Sequence, residues 1–257
     1  MKNIAVITGA SSGIGKQFAL TLQKRGSFDE VWVIARRAER LEALKSQIPF
    51  PVKVLPLDLS DKSSFKTYET LLSIENPNIT LLINCSGFGK FCAMMDCNYE
   101  ENLNMVNLNC GAVLAMCQLS IPYMEAGAKI INIASVAGYQ PIPYINVYGA
   151  TKSFVLNFSR ALNRELKKQK ISVMAVCPFW TKTEFFKRAI DEDEERVVKK
   201  YVAMYTPEKI VAQAWRDLKW GKDVSMYGFK AKMQTMMVKL APHSMVMSVW
   251  MKQQDLK

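Results

Sequence analysis

The stretch Ala5-Val6-Ile7-Thr8-Gly9-Ala10-Ser11-Ser12-Gly13-Ile14-Gly15 decides how the whole chain is read. Its apolar start has the character of a strand covered on both faces. A glycine-rich turn follows, and then Ile14, Phe18 and Leu22 recur at helical spacing. Glycines permit a tight turn and let a phosphate approach the backbone. The helix start adds unpaired N–H groups and the positive end of its dipole. A tight strand–helix turn without a ligand has the same local pattern, so the motif alone leaves both readings open.

Working outward, the alternation continues. Strands are expected at about 3–8, 30–35, 52–57, 79–83, 128–134 and 171–177, with a short one near 224–226. Helical patterns start near Gly13, Arg37, Asp61, Glu101, Asn146 and Thr206, the last with Pro207 at a suitable first helical position. Runs such as Val31-Trp32-Val33-Ile34 and Leu81-Leu82-Ile83 are apolar at successive positions. Together these predict an α/β fold: a Rossmann-type doubly wound parallel sheet of about seven strands with helices on both faces. Ligands in such sheets bind beyond the carboxyl ends of the strands.

Composition narrows the classes. The chain has 257 residues, 49% apolar and 22% charged, with no linker or repeat, and residues 1–257 read as one domain. It opens on a strand pattern without a signal-peptide pattern, and no apolar run reaches the roughly 18 residues a membrane span needs. A cytoplasmic location is therefore expected. The six cysteines form no C-x-x-C pair and are expected as reduced, mostly buried thiols. His243 is the one histidine, which leaves little material for a metal site or a Ser-His-Asp triad. The net charge of +11 is spread among acids rather than concentrated in a run. That favours attraction for an anionic cofactor or substrate over nucleic-acid binding.

Further motifs lie at the expected strand ends. The second strand ends Ala35-Arg36-Arg37, where NAD-using folds commonly carry a carboxylate. Two arginines can instead pair with a 2′-phosphate, which predicts NADP(H); exposed arginines at a helix start are the alternative. Tyr148 and Lys152, four apart, share a helix face, and a cationic lysine there would lower the phenol pKa toward use in proton transfer. Ser135 ends the fifth strand thirteen residues earlier, where its hydroxyl can meet a substrate oxygen.

These motifs, in this order, resemble the classical short-chain dehydrogenase/reductase family over roughly residues 3–183. The glycine spacing is T-G-x-x-x-G-x-G, carried by Gly9, Ser11, Ser12, Gly13, Ile14 and Gly15. The resemblance implies a catalytic set of Asn109, Ser135, Tyr148 and Lys152. Asn109 is preferred to Asn107 because Ala112 and Ile121-Pro122-Tyr123-Met124 follow it in the family register. It also implies that Asp58 and Leu59 meet the adenine and that Asn84, Ser86 and Gly87 pass the ribose. Pro178, Thr181 and Thr183 would hold the nicotinamide end, and Tyr148 and Lys152 would also contact the cofactor, Lys152 at the nicotinamide ribose. Cys85 and Ser86 depart from the usual N-N-A-G, and Phe179 replaces the glycine of P-G-x-x-x-T.

The implied reaction is carbonyl–alcohol interconversion by hydride transfer, on a small-molecule substrate, in a homodimer or homotetramer. A substrate lid is expected at about 184–205, with Phe185 and Phe186 at the pocket and Asp191–Glu195 as a solvated helix start. The Met-rich segment 227–257 has three open uses: core or subunit packing, a lipophilic substrate wall for a steroid, bile acid or acyl chain, and contact with a membrane surface. Two other functions remain in view, a cofactor-binding regulatory module and an epimerase or dehydratase. Turnover of a carbonyl panel separates the first, and net cofactor consumption the second.

Overall fold

The runs Ile4–Ile7, Val31–Ile34, Leu81–Ile83 and Val173–Val176 are buried at every position, as strands covered on both faces must be. The computed structural model describes residues 1–190 and 197–256. It arranges these runs in a seven-stranded sheet: β1 Asn3–Thr8, β2 Glu30–Ile34, β3 Val52–Leu55, β4 Asn78–Asn84, β5 Lys129–Ile133, β6 Ser172–Val176 and β7 Val224–Ser225. Every pairing is parallel, in the order β3-β2-β1-β4-β5-β6-β7. The chain winds one way through β2 and β3, returns to set β4 beside β1, and winds the other way. The crevice opens where the direction reverses.

The helices are α1 Gly13–Leu20, α2 Ala38–Lys45, α3 Lys62–Glu75, α4 Tyr99–Val106, α5 Ala112–Ser120, α6 Asn146–Glu165, α7 Phe185–Ala189, α8 Pro207–Lys219, α9 Phe229–Leu240 and α10 His243–Gln253. Alternate strand residues feed two cores. Ala5, Ile7, Val31 and Val33 meet Phe18, Leu41 and Trp215 of α1, α2 and α8. Ile4, Val6 and Trp32 meet Tyr68, Met116 and Val155 of α3, α5 and α6. Each fully buried aliphatic side chain contributes about 1.5–3 kcal/mol, which fixes the strand ends that carry the site.

Four expectations need correction or extension. Cys92 and Cys97 are joined in a disulfide, with Cα atoms 5.8 Å apart, although free thiols were expected. The loop after β4 folds back on itself, and a spacing of five carries no signal for that. A π turn at Asn107–Gly111 joins α4 to α5, so Tyr99–Tyr123 forms one helical rod. By length and mean hydropathy (1.3) this rod has the composition of a membrane span, as the core helix of a globular fold also can. Here Met105, Val113 and Met116 bury its inner side on the sheet. The Met-rich segment, read without structure, forms α9 and α10. The acidic run Asp191–Glu195 lies outside the described residues.

Candidate active site

The cleft at the strand ends begins with the glycine turn. Gly9 has φ +65°, and a Cβ there would stand 2.8 Å from the Cys85 backbone, so both conformation and close approach demand glycine. The Thr8 hydroxyl oxygen accepts the N–H groups of Cys85 (3.0 Å) and Ser86 (3.1 Å), locking the end of β1 to that of β4. No side chain caps α1 at Ser12, so its N-terminus faces the cleft unblocked. Gly9, Ser11, Ser12, Gly13, Ile14 and Gly15 all line the cleft. An exposed backbone turn under a helix N-terminus fits a pyrophosphate.

The wall beside it is cationic. Arg37 donates to the hydroxyls of Ser11 and Ser12, both at 3.1 Å. Its other terminal nitrogen donates to Glu184 at 3.0 Å, and Arg40 donates to the same carboxylate at 2.8 Å. These bonds, that from Arg40 foremost, hold the Glu184 carboxyl below the usual range. Arg36 reaches toward Asp58 at 3.8 Å. Asp58 accepts the N–H (3.0 Å) and hydroxyl (2.7 Å) of Ser60, which fixes the turn, and Leu59 stands beside it in the cleft wall. Ala35 leaves room where a carboxylate would repel a phosphate.

Asn84 does not line the cleft. It is buried, and its amide donates to Asn132 at 2.9 Å, which donates in turn to Ser159 at 3.0 Å. The place expected for it belongs to Cys85, Ser86 and Gly87. An asparagine at a strand end reads alike from sequence whether it turns outward or inward.

The central groups come from two elements pressed together. The 3₁₀ turn Val136–Tyr139 follows Ser135 and lies so close to α6 that a Cβ on Gly138 would meet the Lys152 backbone at 2.7 Å. This contact brings Ser135 and Tyr148 to the same part of the cleft, where the Ser135 hydroxyl donates to the Pro178 carbonyl at 3.5 Å. Ser135 also accepts the Ala137 N–H at 3.1 Å. Lys152, buried, donates to the Ile133 carbonyl at 2.8 Å, and its ammonium lies 5.6 Å from the centre of the Tyr148 ring.

Burial pushes the Tyr148 hydroxyl up to about 12, against the influence of the Ser135 hydroxyl, which favours the phenolate. Burial also draws Lys152 down to about 8. The expected lowering of the phenol by Lys152 is therefore not what dominates here. The ammonium is itself desolvated and turned to a backbone carbonyl.

Asn109 is buried and Asn107 exposed, because the π turn rotates Asn109 inward. Its amide donates to the Phe88 carbonyl (2.8 Å) and the Thr151 hydroxyl (3.0 Å), and its oxygen accepts the Phe88 N–H (3.0 Å). Both of its donors are used; one lone pair remains for a water.

The far end of the cleft is aromatic. Phe185 lies 5.3 Å and Phe91 6.2 Å from Tyr148, centre to centre, while Trp180 packs on Phe91 and Phe186. Ile142 and Ile145 complete the apolar wall. Pro178, Thr181 and Thr183 lie between the two ends. The whole cleft has a volume of 390 Å³. Among the described residues no cluster of His, Cys, Asp or Glu is arranged to hold a metal.

Residues 3–194 match the family described as short chain dehydrogenase. The chain belongs to the short-chain dehydrogenase/reductase family. It is an oxidoreductase whose cleft fits a nicotinamide cofactor. An uncharacterized oxidoreductase of Staphylococcus epidermidis is 30% identical over 69% of this chain and 77% of its own length. Very-long-chain 3-oxoacyl-CoA reductase-A of Danio rerio is 32% identical over 77% of this chain and 64% of its own length. A Sphingobium yanoikuyae short-chain dehydrogenase in complex with NADPH superposes with TM-score 0.77 and 29% identity, covering 92% of each chain. A bulky-bulky ketone specific alcohol dehydrogenase of Comamonas testosteroni gives TM-score 0.72 and 25% identity, over 93% of this chain and 92% of that one.

Within this short-chain dehydrogenase/reductase, the Phe179 departure is absorbed by packing. Its ring meets Trp180 at 6.2 Å and Tyr205 at 6.4 Å, and its carbonyl accepts the Thr181 hydroxyl at 2.7 Å. Three site residues escaped sequence reasoning. Arg40 lies in the first turn of α2, close after Arg36 and Arg37 in sequence, so its proximity was a usable signal. Glu184 and Arg188 come from a distant segment. Arg188 stacks 3.3 Å from the Phe88 ring centre and pairs with Glu101 at 3.7 Å, which no local pattern foretells.

Proposed function

We propose that this oxidoreductase uses NADP(H) to interconvert a carbonyl and a secondary alcohol, with Tyr148 as the proton-transferring residue. The observation that carries the reading is the convergence of the Ser135 and Tyr148 hydroxyls and the buried Lys152 on one cleft that begins at the glycine turn. The cofactor, when bound, supplies or accepts the hydride. In reduction, Tyr148 gives its proton to the carbonyl oxygen, and Ser135 hydrogen-bonds that oxygen as charge develops. A hydroxyl whose pKa burial has raised to about 12 is fully protonated at neutral pH, which suits the reductive direction.

Lys152 is the group that binds the nicotinamide ribose, and leaving Ile133 for it brings the ammonium to bear on Tyr148. Asn109 positions the Phe88 loop and Thr151, with its remaining lone pair for a water. The NADP(H) preference rests on Ala35 and on the guanidinium groups of Arg36, Arg37 and Arg40. Pro178, Thr181 and Thr183 take the nicotinamide end.

The substrate is lipophilic, of acyl-chain or steroid-like bulk. Support comes from the wall of Phe91, Ile142, Trp180, Phe185 and Phe186. The similarity to a very-long-chain 3-oxoacyl-CoA reductase and to a bulky-ketone dehydrogenase points the same way. Segment 184–205, of which residues 191–196 lie outside the described residues, is assigned as the lid. Exposed Leu103, Val106, Leu114 and Phe154 on α4–α6 supply a face for a homodimer or homotetramer.

The test is oxidation of NADPH and of NADH over steroid, acyl and small aldehyde carbonyls. Turnover with NADPH on a bulky apolar ketone is expected. Turnover confined to small polar aldehydes would refute the substrate class, and equal use of NADH would refute the cofactor preference.

A further inference from the structure

The two C-terminal helices carry an apolar face that the chain itself does not cover. On α9, Phe229, Met233, Met236, Met237 and Leu240 follow one another at intervals of four, three, one and three. At 3.6 residues per turn they occupy a stripe about 100° wide. All five are exposed, Leu240 at 83% and Phe229 at 78%. The opposite side, Ala231, Thr235 and Val238, is the side that packs on the protein. Met245 and Val249, one turn apart on α10, extend the exposed face.

Charge frames the stripe. Lys230 flanks one edge, and Lys232 and Lys239 flank the other. Residues 224–254 contain four lysines and neither Asp nor Glu. Acids in the neighbourhood are engaged elsewhere: Asp223 with Arg160 at 2.8 Å and Asp255 with Lys200 at 2.8 Å. An apolar stripe with lysines on both shoulders is the pattern of a helix lying in a lipid interface, its ammonium groups reaching to anionic headgroups.

We propose that α9 and α10 dock this enzyme on an anionic lipid bilayer. A second copy of the chain fits the face less well. A two-fold contact would set Lys230, Lys232 and Lys239 against their own kind, and α4–α6 offer a separate apolar face for self-association. The same helices border the cleft. Gln234, Trp250 and Gln253 line it, as does half-exposed Val202, whose carbonyl accepts from Lys230 at 3.4 Å. Docking therefore turns the cleft mouth toward the acyl region. This deepens the lipophilic-substrate reading and rests on it only for purpose.

Vesicle flotation of the full chain, without cofactor or substrate, tests the proposal. Vesicles of three parts phosphatidylcholine to one part phosphatidylglycerol are compared with phosphatidylcholine alone at physiological salt. Several-fold more protein is expected on the anionic vesicles. Met236→Ser with Leu240→Ser should lower that binding at least tenfold. Each of Lys230→Gln and Lys232→Gln should lower it about fivefold. These exposed positions lie outside the cleft lining, so turnover of a small soluble carbonyl should stay unchanged and verify folding. No vesicle binding by the parent overturns the proposal. Binding that survives loss of the apolar pair overturns it too, as does a parent oligomer that the apolar pair dissociates while vesicle binding is unaltered. None of these failures touches the carbonyl assay, on which the oxidoreductase reading stands separately.

Discussion

The two ends of the cleft are built by different means. At the cofactor end, the decisive atoms are backbone: the turn at Gly9–Gly15, the open N-terminus of α1, and the Thr8 hydroxyl that ties Cys85 and Ser86 into place. At the substrate end the walls are side chains, and they arrive from Phe91, Ile142, Trp180, Phe185 and Trp250, which are far apart in sequence. Backbone geometry tolerates few residue types, so the first end is conservative in form. Side-chain walls accept many solutions, so the second end is free to set specificity. Tyr148 sits on the seam, in the cleft with Ser135 and Lys152 and packed by Phe185.

The sharpest way to break that division is at the seam. Tyr148→Phe keeps the ring and its aromatic contacts and removes only the hydroxyl. Turnover should fall by a factor of about 10²–10⁴, with NADPH affinity within about twofold of the parent. Steady-state kinetics and a fluorescence titration measure the two. Loss of cofactor binding along with turnover would mean that the seam belongs to the cofactor end.

Lys152 gives the next effect, through pH. Its folded-state pKa is near 8 against 10.5 for the free side chain, so between these values the unfolded chain binds more protons. The contribution of Lys152 to stability should therefore rise as pH goes from 8 to 10.5, by on the order of 3 kcal/mol, and below pH 8 the full cost of the buried ammonium is felt. Burial raises the thiols of Cys85, Cys110, Cys117 and Cys177 and the Tyr148 hydroxyl, which pull the other way in the same window, so the effect is read as a difference: in urea denaturation of cofactor-free protein, the stability of the parent relative to Lys152→Met should rise from pH 8 to 10.5. Parallel curves for the two proteins would place the ammonium in water instead.

Legibility in the sequence follows the same division. The strands, the switch point and the glycine turn were readable because each depends on local periodicity or on spacing along one or two elements; Ser135, Tyr148 and Lys152 were singled out by the family resemblance, and the fold brings all three to the cleft. The inward turn of Asn84 was not readable, since it depends on a partner, Asn132, on a neighbouring strand. Nor was the Cys92–Cys97 bond, which needs the loop to fold back. The Met-rich end was ambiguous because helical spacing alone does not say which side faces the protein. Only the burial of Ala231 and Val238 resolves α9 into an inner and an outer face.

Two smaller effects sharpen the cofactor end. Arg37→Ala removes a guanidinium already aligned by Ser11 and Ser12. A charge-assisted bond to a 2′-phosphate is worth about 1.5–3 kcal/mol, so the NADPH dissociation constant should rise about 10- to 100-fold. NADH should change little. An equal loss for both cofactors would make Arg37 a support for the glycine turn rather than a reader of the phosphate.

The smallest effect joins the two ends. Glu184 opens α7, yet its carboxylate lies on Arg37 and Arg40, the cations a 2′-phosphate would seek. A dianion entering there meets a like charge on the same guanidiniums. Glu184→Gln removes that charge while keeping the shape. Because the pair is substantially exposed, with side chains about 40% accessible, its effect should be modest. NADPH binding should tighten by up to about fivefold and NADH binding should not, as read by isothermal titration with each cofactor. The opposite result, weaker binding of both cofactors, would make Glu184 a strap that holds the lid over the pyrophosphate. The aromatic end would then depend on the cofactor end for its closure, and the two would be one device.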